Sequence, residues 1–80
     1  MYEDHTFDFG TVARWSMSTW LLSEDEVKDA IRNPDSRRDE DESGIMVMKA
    51  QTRDFTICAH FVETKKKVIE VRNAYGQYGD

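Results

Sequence analysis

Cysteine, proline and glycine are scarce in this chain of 80 residues, which has one cysteine, one proline and four glycines. A single cysteine excludes an intramolecular disulfide framework and any zinc site built from several cysteines. No apolar run approaches the ~20 residues of a membrane-spanning helix, and the acidic N-terminus is unlike a secretory signal. We therefore expect one soluble, cytoplasmic domain over residues 1–80, with no metal, no cofactor and no membrane contact.

The charge is distributed unevenly. The formal net charge is −5; residues 1–44 hold twelve acidic and five basic side chains, whereas residues 45–80 hold four acidic and six basic ones. Nonspecific nucleic-acid binding needs an uncompensated basic surface, which an acidic chain lacks. Nine aromatic residues are too many for a typical disordered chain and indicate a packed core.

The clearest local signal is a helix that starts after Ser23. The Ser23 hydroxyl can accept a hydrogen bond from the first turn, and Glu26 can bond back to the Ser23 amide, which completes a capping box. Pro34 ends this helix, because the residue before a proline avoids helical geometry.

The preceding segment, 11–22, predicts another helix with a wide apolar face. That face comprises Val12, Ala13, Trp15, Met17, Trp20, Leu21 and Leu22.

Three stretches in the second half predict strands. Residues 45–50 form a short apolar run, whereas 55–62 and 67–73 alternate apolar and polar side chains. Short connections between them favour an antiparallel meander. The sequence therefore predicts an α+β fold, in which two N-terminal helices pack on a three-stranded antiparallel sheet.

Three segments remain outside these elements. We expect an extended arm over 1–10, in which Phe7 and Phe9 alternate with polar residues. An acidic loop is expected over 35–44, because this stretch contains no apolar side chain. The last residues, 74–80, are expected to form a loose tail.

The helical region carries a set of apolar and capping residues: Ala13, Met17, Leu22, Ser23, Val27, Ile31 and Pro34. Together with the final strand, VIEVRNAY, this set resembles a small domain family of unknown function related to BrnT-type toxins. That family belongs to the wider RelE-like group of ribonucleases. The likeness spans about residues 11–75 and follows a helical pattern of the form H-A-x-x-R-M-x-x-R-x-I-S.

Three polar positions of the family pattern differ in this chain. Val12 stands in place of the histidine, and Ser16 and Trp20 stand in place of the two arginines. The resemblance implies a RelE-like fold and, in active members, RNA cleavage. That reaction needs cations at the scissile phosphate and a group that moves the 2′-hydroxyl proton. This chain lacks the polar residues of the pattern and retains the apolar ones. Such a change is typical of a protein that retains the fold of its family but does not cleave RNA.

We therefore predict a non-catalytic protein-interaction module, with a protein partner and with a homo-oligomer as a further option. The acidic loop and the sheet face are its candidate contact surfaces, and Trp20, which replaces a family arginine, would form an apolar contact patch if it is exposed. The candidate binding residues are Trp20, Asp39, Glu40, Asp41, Glu42 and Tyr75.

Two other functions remain open. One is a metal-independent, RNA-cleaving toxin of a toxin–antitoxin pair, in which His60 acts as acid or base among cations on one sheet surface. Its candidate catalytic residues are Lys49, Arg53, His60 and Arg72. The other is an acidic inhibitor that mimics nucleic acid through residues 39–42.

Overall fold

The computed structural model describes residues 2–40, 44–50, 55–64 and 66–78. Within them, two helices and five strands follow one another along the chain. In chain order they are β1 (Thr6–Phe9), α1 (Thr11–Trp20), α2 (Glu24–Arg32), β2 (Ser36–Asp39), β3 (Gly44–Ala50), β4 (Thr56–Glu63) and β5 (Val68–Gln77).

The strands form one mixed sheet in the order β1-β5-β4-β3-β2. β1 pairs with β5 in parallel, and the other three pairings are antiparallel. The α+β class is confirmed, and the predicted meander is present as β3, β4 and β5. The prediction of a three-stranded antiparallel sheet was wrong, because a further strand is added at each edge.

The edge strand β2 lies inside the segment expected to be a loop. All four of its residues are exposed, and it pairs antiparallel with β3, with Arg38 opposite Met46. An edge strand uses backbone hydrogen bonds on one side only and needs no buried side chain, so the apolar pattern cannot reveal it. Residues 41–43 of the expected loop lie outside the described residues.

The expected arm also contributes a strand. β1 places Phe9 in the core, where 5% of this residue remains exposed. The alternation of Phe7 and Phe9 predicted extended backbone correctly. It could not predict the pairing partner, because β5 lies about 60 residues further along the chain.

The expected tail begins inside β5, which continues to Gln77. His60 pairs with Asn73 and Phe61 pairs with Val71, so Arg72 forms a bulge with no residue directly opposite. A bulge shifts the alternation by one residue. Ala74 and Gly76 are therefore buried beyond it. Residues 79–80 lie outside the described part of the chain.

The core lies between the two helices and one face of the sheet. α1 packs against β5, and α2 packs against β3 and β4. The opposite face of the sheet carries no helix of the described chain. The core side chains are Phe9, Ala13, Met17, Leu22, Val27, Ala30, Ile31, Ile45, Val47, Ile57, Ala59, Phe61, Ile69, Val71 and Ala74.

The helix boundaries follow their caps. The predicted capping box is confirmed: Glu26 N–H donates to the Ser23 hydroxyl at 3.1 Å, and Ser23 N–H donates to the Glu26 carboxylate at 3.0 Å. α1 ends at Trp20, two residues earlier than predicted, because Leu21 adopts a left-handed conformation with φ 56°. Neither helix in the described residues is long and apolar enough to cross a bilayer.

Candidate functional site

A row of side chains crosses the uncovered face of the sheet. The register aligns Arg38, Met46, His60 and Asn73 on four neighbouring strands. Since Val47 and Ala59, the chain neighbours of Met46 and His60, point into the core, this row points away from the helices. A depression of about 390 Å³ lies there, lined by Glu40, Met46, His60, Asn73 and Tyr75.

His60 lies half-buried over Gly44. A Cβ atom at position 44 would come 2.5 Å from His60 Nε2, so the glycine makes room for the imidazole ring. The ring makes no hydrogen bond or ion pair with any residue that the structure describes. It is therefore available to a ligand or partner that reaches the depression.

The cation and carboxylate of this site are paired with each other. Arg38 Nη2 donates to Glu40 Oε1 at 2.8 Å, and this bond raises the pKa of Arg38. Asn73 Oδ1 accepts from the Ala74 amide at 2.9 Å. These contacts hold the side chains in place but leave the arginine charge largely compensated.

Cys58 and Tyr75 face each other on adjacent strands of the same sheet face. Burial raises the pKa of the Cys58 thiol, and burial also raises the pKa of the Tyr75 phenol, with the Cys58 side chain contributing. Both groups therefore stay protonated at neutral pH. A thiol without a lowered pKa is not an activated nucleophile, so we assign Cys58 no catalytic role.

The site can supply hydrogen bonds, an aromatic ring and one histidine. Cleavage of RNA also requires an uncompensated cation at the phosphate and, for acid–base catalysis at both oxygens, a second proton-transfer group. Among the residues that line the depression, His60 is the one imidazole, and the neighbouring cation, Arg38, is compensated by Glu40.

The structure does not bring the four candidate catalytic residues together. Lys49 lies on the helix-covered face, where its Nζ binds Asp29 of α2 and lowers the pKa of that carboxyl group. His60 lies on the opposite face, and Arg72 lies at the bulge beside β1. Arg53 lies outside the described residues.

The candidate binding residues are also dispersed. Trp20 is half-buried, with ring centroids 5.4 Å from both Phe55 and Tyr78, and it covers Gly76. Trp20 is therefore a packing residue and not an exposed contact. Of the other candidates, only Glu40 and Tyr75 line the depression.

The acidic candidates are partly neutralised where they can be described. Asp39 lies 3.5 Å from Arg37 Nε, and Glu40 binds Arg38. Asp41 and Glu42 lie outside the described residues. β2 therefore carries charges of both signs and not a purely acidic surface.

Sequence reasoning missed two groups of residues. Arg38 and Asn73 belong to the depression, but only the pairing of β2 and the bulge in β5 place them there. Val12, Trp15 and Leu21 were expected on the apolar face of a helix, yet they are 61%, 77% and 78% exposed. A helical projection could have found Val12 and Trp15, because the core residues Ala13 and Met17 lie on the other side of α1.

Comparison with known proteins adds no relative: no family model, curated protein or solved structure matches this chain.

Proposed function

We propose that this protein is a non-catalytic protein-interaction module with a RelE/BrnT-like fold. The observation that carries the proposal is the exposure of Val12 and Trp15, which are neighbours on one side of α1. Large exposed apolar patches on a small domain are typical of interaction sites. The separation of Lys49 from His60 by the sheet supports the non-catalytic part of the proposal.

The arrangement of the elements supports the proposed kinship. A pair of helices is followed by antiparallel strands, as the resemblance implies, and β1 and β2 extend that sheet at its edges. Val12 replaces the family histidine and is exposed, so an apolar group occupies a position where active relatives carry a polar one.

A second candidate function is RNA cleavage at the uncovered sheet face. The specific observation in its favour is that His60 and Tyr75 line one depression, with Arg38 in the same cross-strand row as His60. An aromatic ring can stack on a base, and an imidazole can move a proton. Of the four catalytic residues predicted from the sequence, this candidate function uses only His60. It adds Arg38 and Tyr75, which were not predicted to be catalytic.

The third candidate, mimicry of nucleic acid, receives less support. Its acidic residues Asp39 and Glu40 are each within ion-pair distance of an arginine of β2. A nucleic-acid mimic must present uncompensated negative charge to a basic partner. We therefore rank it below the other two functions.

Induced expression in bacteria distinguishes the first two functions. We expect normal growth, and we expect purified protein to leave total RNA intact over hours at neutral pH. Growth arrest that His60→Ala abolishes, with Lys66→Ala as a matched exposed control that retains it, would replace the first proposal by the second. Circular dichroism of each variant shows whether it folds.

A further inference from the structure

We infer that the outer surface of α1 binds an amphipathic, positively charged helix of a protein partner. We define this α1 surface as Val12 and Trp15. The inference rests on the proposed interaction function and names the surface and the chemistry of the partner. It is carried by two observations, an uncovered apolar strip and an uncompensated pair of carboxylates at one end of it.

The apolar strip has no long side chain to cover it. Val12 and Trp15 are three residues apart and therefore neighbours on one side of α1. Arg14 is the charged residue of this helix, and it is held elsewhere, donating to the Phe9 carbonyl at 3.2 Å and to Glu24 at 3.0 Å. Thr19 Oγ1 donates back to the Trp15 carbonyl at 3.1 Å. Trp15 remains 77% exposed to water.

The carboxylates lie at the Val12 end of the strip. Asp8 on β1 pairs in register with Glu70 on β5, and both border a depression that Val12 also lines. Neither carboxylate forms an ion pair within the described residues. Like charges on adjacent strands destabilise a sheet unless a cation compensates them. Arg72 borders the same depression without pairing with either, so a negative charge remains uncompensated there.

The shape of the surface favours a helix as occupant. α1 has ten residues, which corresponds to a length of about 15 Å. A partner helix of about three turns laid along α1 would cover Trp15 with apolar side chains and bring lysine or arginine to Asp8 and Glu70. The surface thus fits a helix that is apolar on one side and basic at one end.

Peptide binding tests the inference. The probe is a fluorescein-labelled, helix-forming peptide of leucine and lysine, about four turns long. Two matched peptides serve as controls: a scrambled sequence of the same composition, and a leucine–glutamate version. By fluorescence anisotropy we expect the amphipathic cationic peptide to bind at least ~10-fold more tightly than either control.

Variants identify the surface. Val12→Ser/Trp15→Ser is expected to weaken peptide binding at least ~10-fold. Met48→Ser, which changes an exposed apolar residue on the uncovered sheet face, is expected to leave peptide binding unchanged.

Asp8→Asn/Glu70→Gln is expected to weaken peptide binding and to reduce its salt dependence. Asp25→Asn neutralises an exposed carboxylate in the first turn of α2, outside both depressions, and is expected to have no such effect. All four positions of the binding-defective variants are exposed, so folding should survive.

The results separate failure of the inference from failure of the proposed function. Equal binding of the scrambled peptide, or unchanged binding by both α1 and carboxylate variants, would overturn the α1 surface. In that case, photo-cross-linking residues are placed at positions 48 and 15 in separate variants. Adducts in cells from position 48 but not from position 15 would mean that the protein interacts through the sheet face, and the proposed interaction function would stand. RNA cleavage by the purified protein overturns both.

Discussion

Asp4 shows how single residues fasten the N-terminal segment to the sheet. Its carboxylate accepts from Lys67 Nζ at 2.8 Å and lies 3.0 Å from His5 Nδ1. His5 also lies 2.7 Å from Glu63 through Nε2. Each ring nitrogen of His5 thus faces one carboxylate. These contacts connect residues before β1 with β4 and with the turn before β5.

The pH dependence of stability follows from Asp4. The Lys67 and His5 hydrogen bonds lower the pKa of Asp4 from 3.8 to about 2. Because the folded pKa is the lower one, the stabilisation is complete above pH 3.8 and is lost as the pH falls through about 2. Asp4→Asn should therefore lower the Tm at pH 7, and the difference from wild type should shrink in the acidic range.

Thermal unfolding at a series of pH values checks this prediction. Asp8→Asn provides a matched control, since Asp8 is an exposed carboxylate without an ion pair in the described residues, and its removal should not lower the Tm at pH 7. A difference between Asp4→Asn and wild type that stays constant down to pH 2 would show that the charge of Asp4 is not responsible.

Phe9 tests whether β1 is an integral strand. Phe9 is buried among the core side chains and its strand pairs with β5. Phe9→Ala is expected to lower the free energy of unfolding by about 3–5 kcal/mol, because it removes a buried aromatic side chain and leaves a cavity. A loosely attached arm would lose far less. Urea denaturation measures the change, and the half-buried Phe7→Ala should show a smaller loss.

The elements differ in how much of them the sequence could predict. α2 was predictable from Ser23, Glu26 and Pro34, because a cap and a helix stop depend on residues close together in the chain. β2 was not, because SRRD has no buried side chain and its pairing with β3 is made by the backbone. The bulge at Arg72 broke the alternation that defines a strand, so the end of β5 was mistaken for a tail.

The candidate site was harder to predict than the elements that build it. Tyr75 and His60 were recognised as candidates, but their meeting with Arg38 depends on the register of four strands. Register is set by the packing of the whole sheet, and a shift of one residue would turn each side chain to the other face. The sequence does not reveal this register. We therefore predicted that Lys49 and His60 share one face of the sheet, whereas they lie on opposite faces.

Across the whole molecule, stability should be highest at the centre of the sheet. β4 is paired on both sides and buries Ile57, Ala59 and Phe61 completely, whereas β2 is an exposed edge. We expect amide hydrogens of β4 to exchange only on global unfolding, and those of Arg37 and Asp39 to exchange orders of magnitude faster. Native-state hydrogen exchange by NMR checks this, and equal protection of β2 and β4 would contradict it.

The parallel pairing of β1 with β5 has a consequence for synthesis on the ribosome. Among the described strands β1 pairs with β5 alone, and β5 is translated about 60 residues after β1, so Phe7 and Phe9 must wait for that length of chain. Nascent chains that stop before Val68 would expose these two aromatic rings. We therefore infer that translation of β5 commits the earlier segments to the native arrangement and ends the period in which they are exposed to chaperones and proteases.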